Sequence, residues 1–214
     1  MKNLILVVVA CACALLSSPA MAETFDFDTG TPALTTGQNA PFDQTSGAIT
    51  ASFGVPAGAG KYSIQTDAST GFTLTQFSSH YLYPNNPNRD LLDIKFTKAL
   101  SSITFTFATA DFPPIETPTP IVLTAYLDST ANPPVGSTTA QGTYGTDTLP
   151  MGTLSFTSAL PFNLVEIGIQ PGGGTGFLMD NISVTAVPEP GGLALLAVGL
   201  VPLVPLARRL RRPR

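Results

Sequence analysis

The fold of this chain is decided by the stretch Ser101-Ser102-Ile103-Thr104-Phe105-Thr106-Phe107-Ala108. Large apolar side chains alternate with threonines, so Ile103, Phe105 and Phe107 lie on one face of an extended segment. A period of two in β-branched and aromatic residues is typical of a strand with one buried face. The stretch therefore predicts a half-buried β-strand.

Similar short runs recur on both sides of this stretch, and helical periodicity is nearly absent from residues 23–187. Turn-forming segments such as Pro113-Pro114 and Asn132-Pro133-Pro134 separate them. About ten short strands without helices between them imply an all-β fold, which we expect to be a two-sheet antiparallel β-sandwich of the jelly-roll type. The other predicted strands are 24–27, 48–53, 71–75, 91–96, 121–127, 153–157, 164–169 and 176–184, with weaker candidates at 62–65, 79–83 and 137–142.

The charged residues are unevenly distributed. The whole chain has a net charge of −4, but residues 23–187 hold 13 of its 14 acids and only four of its ten bases. An acidic domain argues against nucleic acid as a partner and against anionic polysaccharide bound by charge alone. Both cysteines, Cys11 and Cys13, precede this domain, which therefore has no disulfide and no cysteine-based metal site. The single histidine, His80, excludes a histidine-rich zinc site.

The N-terminus has the pattern of a signal peptide over residues 1–22. Lys2 precedes an apolar run at 4–16, and Ala20-Met21-Ala22 offers the small residues that signal peptidase needs, so we expect cleavage between Ala22 and Glu23. An N-terminal membrane anchor and lipidation at Cys11 are the alternatives. The pattern predicts an exported protein.

The C-terminus joins a short motif, an apolar segment and a basic end. Pro188, Glu189 and Pro190 precede residues 191–207, which carry no charge. As a helix these 17 residues would span about 26 Å, slightly less than a hydrocarbon core of about 30 Å. Two prolines within the segment would each remove a helix hydrogen bond, so it is better suited to transient than to permanent anchoring in the inner membrane. The arginines that would hold its end on the cytoplasmic side are Arg208, Arg209, Arg211, Arg212 and Arg214.

This tail resembles the PEP-CTERM sorting signal of Gram-negative bacteria. The family's tripeptide stands here as Pro188-Glu189-Pro190. The resemblance implies that exosortase, a membrane protease, recognises the motif, removes the tail and delivers the protein to the cell surface or the extracellular space. It also implies three parts: a signal peptide at 1–22, a β-sandwich ectodomain at 23–186 and a sorting signal at 187–214. An ordinary single-pass tail anchor is the alternative.

The domain itself is similar to the jelly-roll ectodomains of exosortase substrates. The resemblance is carried by Leu91, Asp93, Ile94 and Phe96, by the strand at 101–107, by Leu123-Thr124-Ala125-Tyr126 and by residues 176–182. Those ectodomains are similar to galactose-binding-like and carbohydrate-binding modules. The resemblance implies a carbohydrate-binding type of fold and specifies no ligand.

Asp180 is the acid most in need of an explanation. Strand alternation places it on one face with Leu178, Ile182 and Val184, where a bare carboxylate is costly to bury. In the jelly-roll modules that the domain resembles, an acid near the last strand often helps to hold a structural calcium ion beside the first strand. Asp26 and Asp28 are the matching acids here, with carbonyls completing the oxygen ligands. The alternative is that Asp180 accepts N–H bonds from a neighbouring turn.

Two tyrosines, Tyr81 and Tyr83, are candidates for contact with a sugar. They precede a loop rich in proline and asparagine, and rings beside amides can stack on a sugar and hydrogen-bond its hydroxyls. The alternative is that they fill the edge of the sandwich, and the absence of tryptophan favours it.

The sequence contains no complete catalytic motif. There is no Gly-x-Ser-x-Gly, and His80 has no partner in a recognisable order, so we expect no enzyme activity. The first hypothesis is a structural or adhesive surface protein of exopolysaccharide or biofilm. A carbohydrate-binding module for exopolysaccharide is the second, and a secreted hydrolase is the third.

Overall fold

The computed structural model describes residues 21–57, 60–85, 91–112, 117–170 and 176–188. Ala22–Val187 form one compact unit, and Met1–Met21 with Pro188–Arg214 belong to a second unit that is almost wholly outside the described residues. The predicted signal peptide up to Ala20, Glu189, Pro190, the apolar segment and the arginines also lie outside them, so the domain boundaries and the sorting motif stay predictions. Among the described residues, no helix has the length and apolar character that crossing a membrane requires.

The described chain is built almost entirely from antiparallel strands. One helical turn, α1, spans Asp67–Thr70. The strands are β1 (Ala22–Phe25), β2 (Phe42–Ser46), β3 (Ile49–Gly54), β4 (Tyr62–Thr66), β5 (His80–Pro84), β6 (Leu91–Thr109), β7 (Ile121–Tyr126), β8 (Gly136–Ala140), β9 (Met151–Ile169) and β10 (Phe177–Ala186).

Two long strands, β6 and β9, join the two layers of the sandwich. Residues 91–95 of β6 pair with 164–168 of β9 in layer A, whose order is β2-β3-β6-β9-β7-β8. Residues 102–108 pair with 151–157 in layer B, whose order is β4-β5-β10-β6-β9, with β1 also on β10. The register shifts between these halves, and such irregularities bend a strand. The expected all-β antiparallel sandwich is confirmed.

The main core lies between the two layers, where the apolar side of each strand is buried. A second cluster on the outer side of layer B contains Leu74, Tyr81, Leu149 and Leu178. Each fully buried phenylalanine contributes roughly 1.5–3 kcal/mol of hydrophobic stabilisation. The fully buried aromatic members of the main core are Phe25, Phe27, Phe53, Tyr62, Phe96, Phe105, Phe107, Phe162 and Phe177.

The structure corrects several strand predictions. Two long strands replace four shorter predicted ones: β6 covers the predicted strands 91–96 and 101–108, and β9 covers 153–157 and 164–169. The sequence pattern does not predict β2. Residues 71–75 are not a strand, because side chains take up their backbone N–H groups. The N–H of Thr73 donates to Oγ1 of Thr148, and that of Thr75 to Oδ1 of Asp147. The segment instead covers layer B and buries Leu74.

Candidate functional site

Two rows of side chains cross the outer surface of layer A, here called the open face. Because neighbouring strands pair in register, residues far apart in sequence are aligned across five strands. The first row is Asp43, Ser52, Lys95, Leu164 and Tyr126, and the second is Gly54, Asp93, Glu166, Thr124 and Ser137.

The second row places two carboxylates opposite each other. Asp93 of β6 and Glu166 of β9 are direct partners, and like charges in such a pair repel. Burial and then the charge of Glu166 raise the pKa of Asp93 to about 6. Oδ1 of Asp93 is buried and has no hydrogen-bond partner within the described part of the chain. Burial and the charges of Glu166 and Asp93 also raise the pKa of Tyr126. The open face therefore carries a half-buried carboxylate, Asp93, of which one oxygen has no described hydrogen-bond donor.

A groove with a volume of about 380 Å³ lies on this face. Its lining includes Asp93, Lys95 and Leu164 from the strands and residues 128–130 from the loop after β7. That loop is held in place by Asn163. The N–H of Asp128 donates to Oδ1 of Asn163 at 2.7 Å, and Nδ2 of Asn163 donates to Oδ1 of Asp128 at 2.8 Å. The groove thus combines carboxylates, an ammonium group and an apolar side chain on a fixed framework.

The structure places Asp180 on the opposite face of the sheet from the one that the sequence predicts. Asn181 has a left-handed φ of 53°, and the register with β6 shifts between Asp180 and Ser183. Met179 faces the main core before the shift, and Ile182 faces it afterwards. Because this bulge reverses the alternation, the prediction that Asp180 shares a face with Ile182 and Val184 is wrong. Asp180 lies on the outer side of layer B with Leu178.

Asp180 is fully buried there beneath the segment that precedes β5. Its Oδ2 accepts the backbone N–H and the hydroxyl of Ser78, both at 2.6 Å, whereas Oδ1 is buried without a described partner. Burial raises the pKa of Asp180 to about 6 despite the bonds from Ser78, and the charge of Asp28 adds to the rise. This arrangement supports the alternative in which Asp180 accepts N–H bonds from a neighbouring turn.

The other two acids of the predicted calcium site are engaged as well. Asp26 accepts the N–H of Asp28 and of Thr29 and the Thr29 hydroxyl. Against the effect of burial, these bonds lower the pKa of Asp26. The carboxylate of Asp28 accepts the backbone N–H of His80, and its Oδ1 is hydrogen-bonded to Nδ1 of the His80 ring at 2.6 Å.

Five of the six carboxylate oxygens of Asp26, Asp28 and Asp180 thus already have partners. The described residues contain no group of three or more His, Cys, Asp or Glu that could hold a metal ion. As arranged, the three acids do not fit calcium, and the calcium site stays a prediction from the resemblance.

Calcium is expected to leave the stability of the protein unchanged. The reason is that a bound ion would have to displace hydrogen bonds from Ser78, His80 and Thr29. The measurement is the Tm with millimolar CaCl2 and with EDTA, using MgCl2 as the control for ionic strength. A calcium-specific rise of several degrees would show that these carboxylates rearrange to bind the ion.

The stability of the domain is expected to fall as the pH rises from about 4.5 to 7. Asp93 and Asp180 both have a folded pKa of about 6 against an ordinary value of 3.8, so the folded state binds more protons in this window. Their stabilising contribution is therefore complete below pH 4 and is lost as the pH passes 6. With a reduced weight for the partly exposed Asp93, the loss is about 1–3 kcal/mol.

Denaturant unfolding across this pH range measures the effect. Asp93→Asn should flatten the profile in part, whereas Ser52→Ala, which changes a neutral side chain of the same face, should leave the shape of the profile unchanged. Stability that increases with pH would contradict the assigned pKa values.

The two tyrosines proposed for sugar contact have different surroundings. Tyr81 is fully buried and its hydroxyl lies 2.5 Å from Oγ1 of Thr70, so its ring is not available to a ligand. Tyr83 is partly exposed and packs against Phe72. The tyrosine pair is therefore corrected to Tyr83 alone, since Tyr81 belongs to the second core cluster.

His80 has partners that could not be read from the sequence. Its Nδ1 lies 2.6 Å from Asp28, and its Nε2 lies 3.3 Å from Oγ1 of Thr36. With the Nδ1–H directed at Asp28, Nε2 accepts the hydroxyl of Thr36. This Asp–His–hydroxyl order is the one used in acyl transfer, but the same contacts also attach the segment after β1 to β5.

Comparison with known proteins gives fold similarity only. No protein-family model matches the chain and no curated protein sequence matches it, so the sorting-tail resemblance rests on its quoted residues. Among solved structures, the K2 cleaved adhesin domain of Lys-gingipain is similar, with 14% identity, 77% of this chain and 99% of that chain covered, and a TM-score of 0.46. The K1 cleaved adhesin domain of Lys-gingipain from Porphyromonas gingivalis W83 has 12% identity, 78% and 99% coverage, and a TM-score of 0.43. A family 11 carbohydrate-binding module from Clostridium thermocellum, in complex with a mixed-linked tetrasaccharide, has 12% identity, 81% and 99% coverage, and a TM-score of 0.33. Because these TM-scores are below 0.5, they carry no argument about function.

Proposed function

We propose that this chain is an exported surface protein whose domain binds a neutral polysaccharide in the open-face groove. The observation that carries the proposal is the half-buried carboxylate of Asp93 in the lining of the groove, whose Oδ1 has no hydrogen-bond partner among the described residues. A sugar hydroxyl would donate to the accessible part of the Asp93 carboxylate, and Lys95 would donate to a second sugar oxygen. A few polar groups converging in a cleft of this size are typical of a site that orients a small polar ligand.

The charges favour a neutral ligand over an anionic one. Asp43, Asp93 and Asp128 line the groove, whereas Lys95 is the only base in its described lining. An anionic polymer would meet net repulsion there. Hydroxyl groups can donate to the carboxylates without adding charge, so a neutral polysaccharide is the ligand that best matches the polar groups of the groove.

Binding to immobilised neutral polysaccharides, including the exopolysaccharide of the producing bacterium, tests this proposal. Asp93→Ala and Lys95→Ala in the full chain should each weaken binding about tenfold or more, since each removes a charged hydrogen-bond partner. Lys61→Ala is the matched control, because Lys61 precedes β4 and does not line the groove. If the wild-type chain binds no neutral polysaccharide, the proposal fails.

The sorting of the protein is a separate part of the proposal and rests on the sequence. Signal peptidase would cleave before Glu23, and exosortase would act at Pro188-Glu189-Pro190 after transient retention in the inner membrane. The test compares the full chain with a truncation after Val187, in cells with and without the exosortase. Processing and location that are the same in all four combinations would overturn it.

A further inference from the structure

Three aromatic rings, those of Phe72, Tyr83 and Phe112, form a surface cluster beside the second core cluster, and Tyr144 is hydrogen-bonded next to it at Asp111. These four side chains are here called the aromatic platform. The ring of Phe72 lies 6.2 Å from that of Tyr83 and 5.9 Å from that of Phe112. Phe112 is 52% exposed and Tyr144 is 36% exposed. Phe112 is thus an exposed ring in contact with the partly buried ring of Phe72, in a domain that buries most of its phenylalanines.

The platform is attached to the body of the domain. Phe72 and Tyr83 pack against the second core cluster. Next to Phe112, the buried carboxylate of Asp111 accepts the hydroxyl of Thr109 and both the N–H and the hydroxyl of Thr119. The hydroxyl of Tyr144 donates to the carbonyl of Asp111 at 3.0 Å. Because these rings are positioned before a ligand arrives, binding would require little additional ordering.

The chemistry around the rings matches a sugar. The nearby polar groups include the carboxylate of Asp147 and the hydroxyl of Thr148, each of which accepts an N–H from the segment that carries Phe72. A sugar ring has an apolar C–H face, which suits an aromatic surface, and a hydroxyl edge, which suits oxygen acceptors. We propose that the aromatic platform is a second polysaccharide contact, in which Phe112 and Tyr144 stack on a sugar ring.

The positions of the two sites have a consequence for the role of the protein. The groove lies on the outer side of layer A, and the platform lies beside the second core cluster on the outer side of layer B. One polysaccharide segment cannot occupy both faces of the sandwich at once, so one molecule would connect two strands or two distant parts of one strand. Such bivalent contact raises avidity and cross-links the polymer. This inference rests on the proposed function and identifies the domain as a cross-linker of neutral polysaccharide.

Phe112→Ala and Tyr144→Ala in the full chain test the platform. Each variant should weaken binding to a neutral polysaccharide several-fold, and together about tenfold or more. Leu160→Ala is the matched control, because Leu160 is a large apolar side chain that is 64% exposed on β9. Light scattering of protein mixed with soluble polysaccharide then reports cross-linking. The wild type should cross-link, whereas Phe112→Ala and Lys95→Ala should bind without cross-linking.

The outcomes separate the two proposals. Absence of all polysaccharide binding by the wild type overturns the groove and the platform together. If Lys95→Ala loses affinity but Phe112→Ala retains wild-type affinity and cross-linking, only the platform is overturned. A wild-type dimer that Phe112→Ala converts to a monomer, with unchanged polysaccharide affinity, would show that the rings bind a second copy of the chain and would also overturn the platform.

Discussion

Replacement of Phe53 by alanine is expected to lower the free energy of unfolding by roughly 3–5 kcal/mol. Phe53 of β3 is 1% exposed, and its ring lies 5.3 Å from that of Phe27 and 5.0 Å from that of Phe42. Removing it leaves a cavity beside the rings of Phe42 in β2 and of Phe27 in the segment after β1. Phe27 is also held at a positive φ of 59°, which is costly for a non-glycine residue and depends on this packing.

The loss is large compared with the total stability of a typical domain, about 5–15 kcal/mol. Denaturant unfolding measures it, and Tm should fall by roughly 10 °C. Phe112→Ala is the matched control, since it removes the same ring from a side chain that is 52% exposed, and its cost should be below about 1 kcal/mol. Equal losses in the two variants would contradict the position of Phe53 in the core.

Asp111→Ala is expected to cost about 2–4 kcal/mol of stability. The Asp111 side chain is 1% exposed and accepts three hydrogen bonds, of which the shortest is 2.6 Å, from the N–H of Thr119. Without the carboxylate, Thr119 loses the two bonds that its N–H and its hydroxyl donate to Asp111. The gain from removing a buried charge offsets only part of this loss.

Two measurements and two comparison variants test this prediction. Denaturant unfolding should show the loss, and hydrogen exchange at the Thr119 amide should accelerate. Asp111→Asn keeps one acceptor oxygen and should lose less stability. Asp43→Ala, which removes an exposed acid, should have little effect on stability. A variant Asp111→Ala with wild-type stability and wild-type exchange would show that Asp111 does not anchor Thr119.

The strands that could be predicted are those with one covered face. The segments 48–53 and 121–127 were predicted because their buried and exposed residues alternate, and both are strands in the structure. The strand β2 was missed because Phe42-Asp43-Gln44-Thr45-Ser46 has one apolar side chain, and its pairing with β3 defines it. Residues 71–75 alternate like a strand but obtain their hydrogen bonds from side chains of distant loops. In such segments the local sequence pattern does not indicate which groups accept the backbone N–H hydrogen bonds.

The candidate site was less predictable than the fold. Asp93 and Glu166 each stand at an outward position of an apolar strand, which is a signal of an exposed face. Their opposition depends on the register between β6 and β9. The sequence indicates that Asp180 needs partners, but the bulge at Asn181 places Asp180 on the other face of the sheet, and no sequence pattern indicates Ser78 as the partner. A bulge is set by packing between strands, so alternation within one strand could not locate it.

The all-β class of the domain, its acidic character and its lack of cysteine follow from the sequence alone, because composition and a period of two are local properties. It also carries the predicted export and sorting signals at the two ends. The contacts at the candidate sites became visible in the tertiary structure. Asp93 lies opposite Glu166 beside a groove. Tyr81 is buried, whereas Tyr83 packs against Phe72, and His80 contacts Asp28 and Thr36. The physical reason is that these contacts join segments distant in sequence, and strand register and the bends of β6 and β9 bring such segments together.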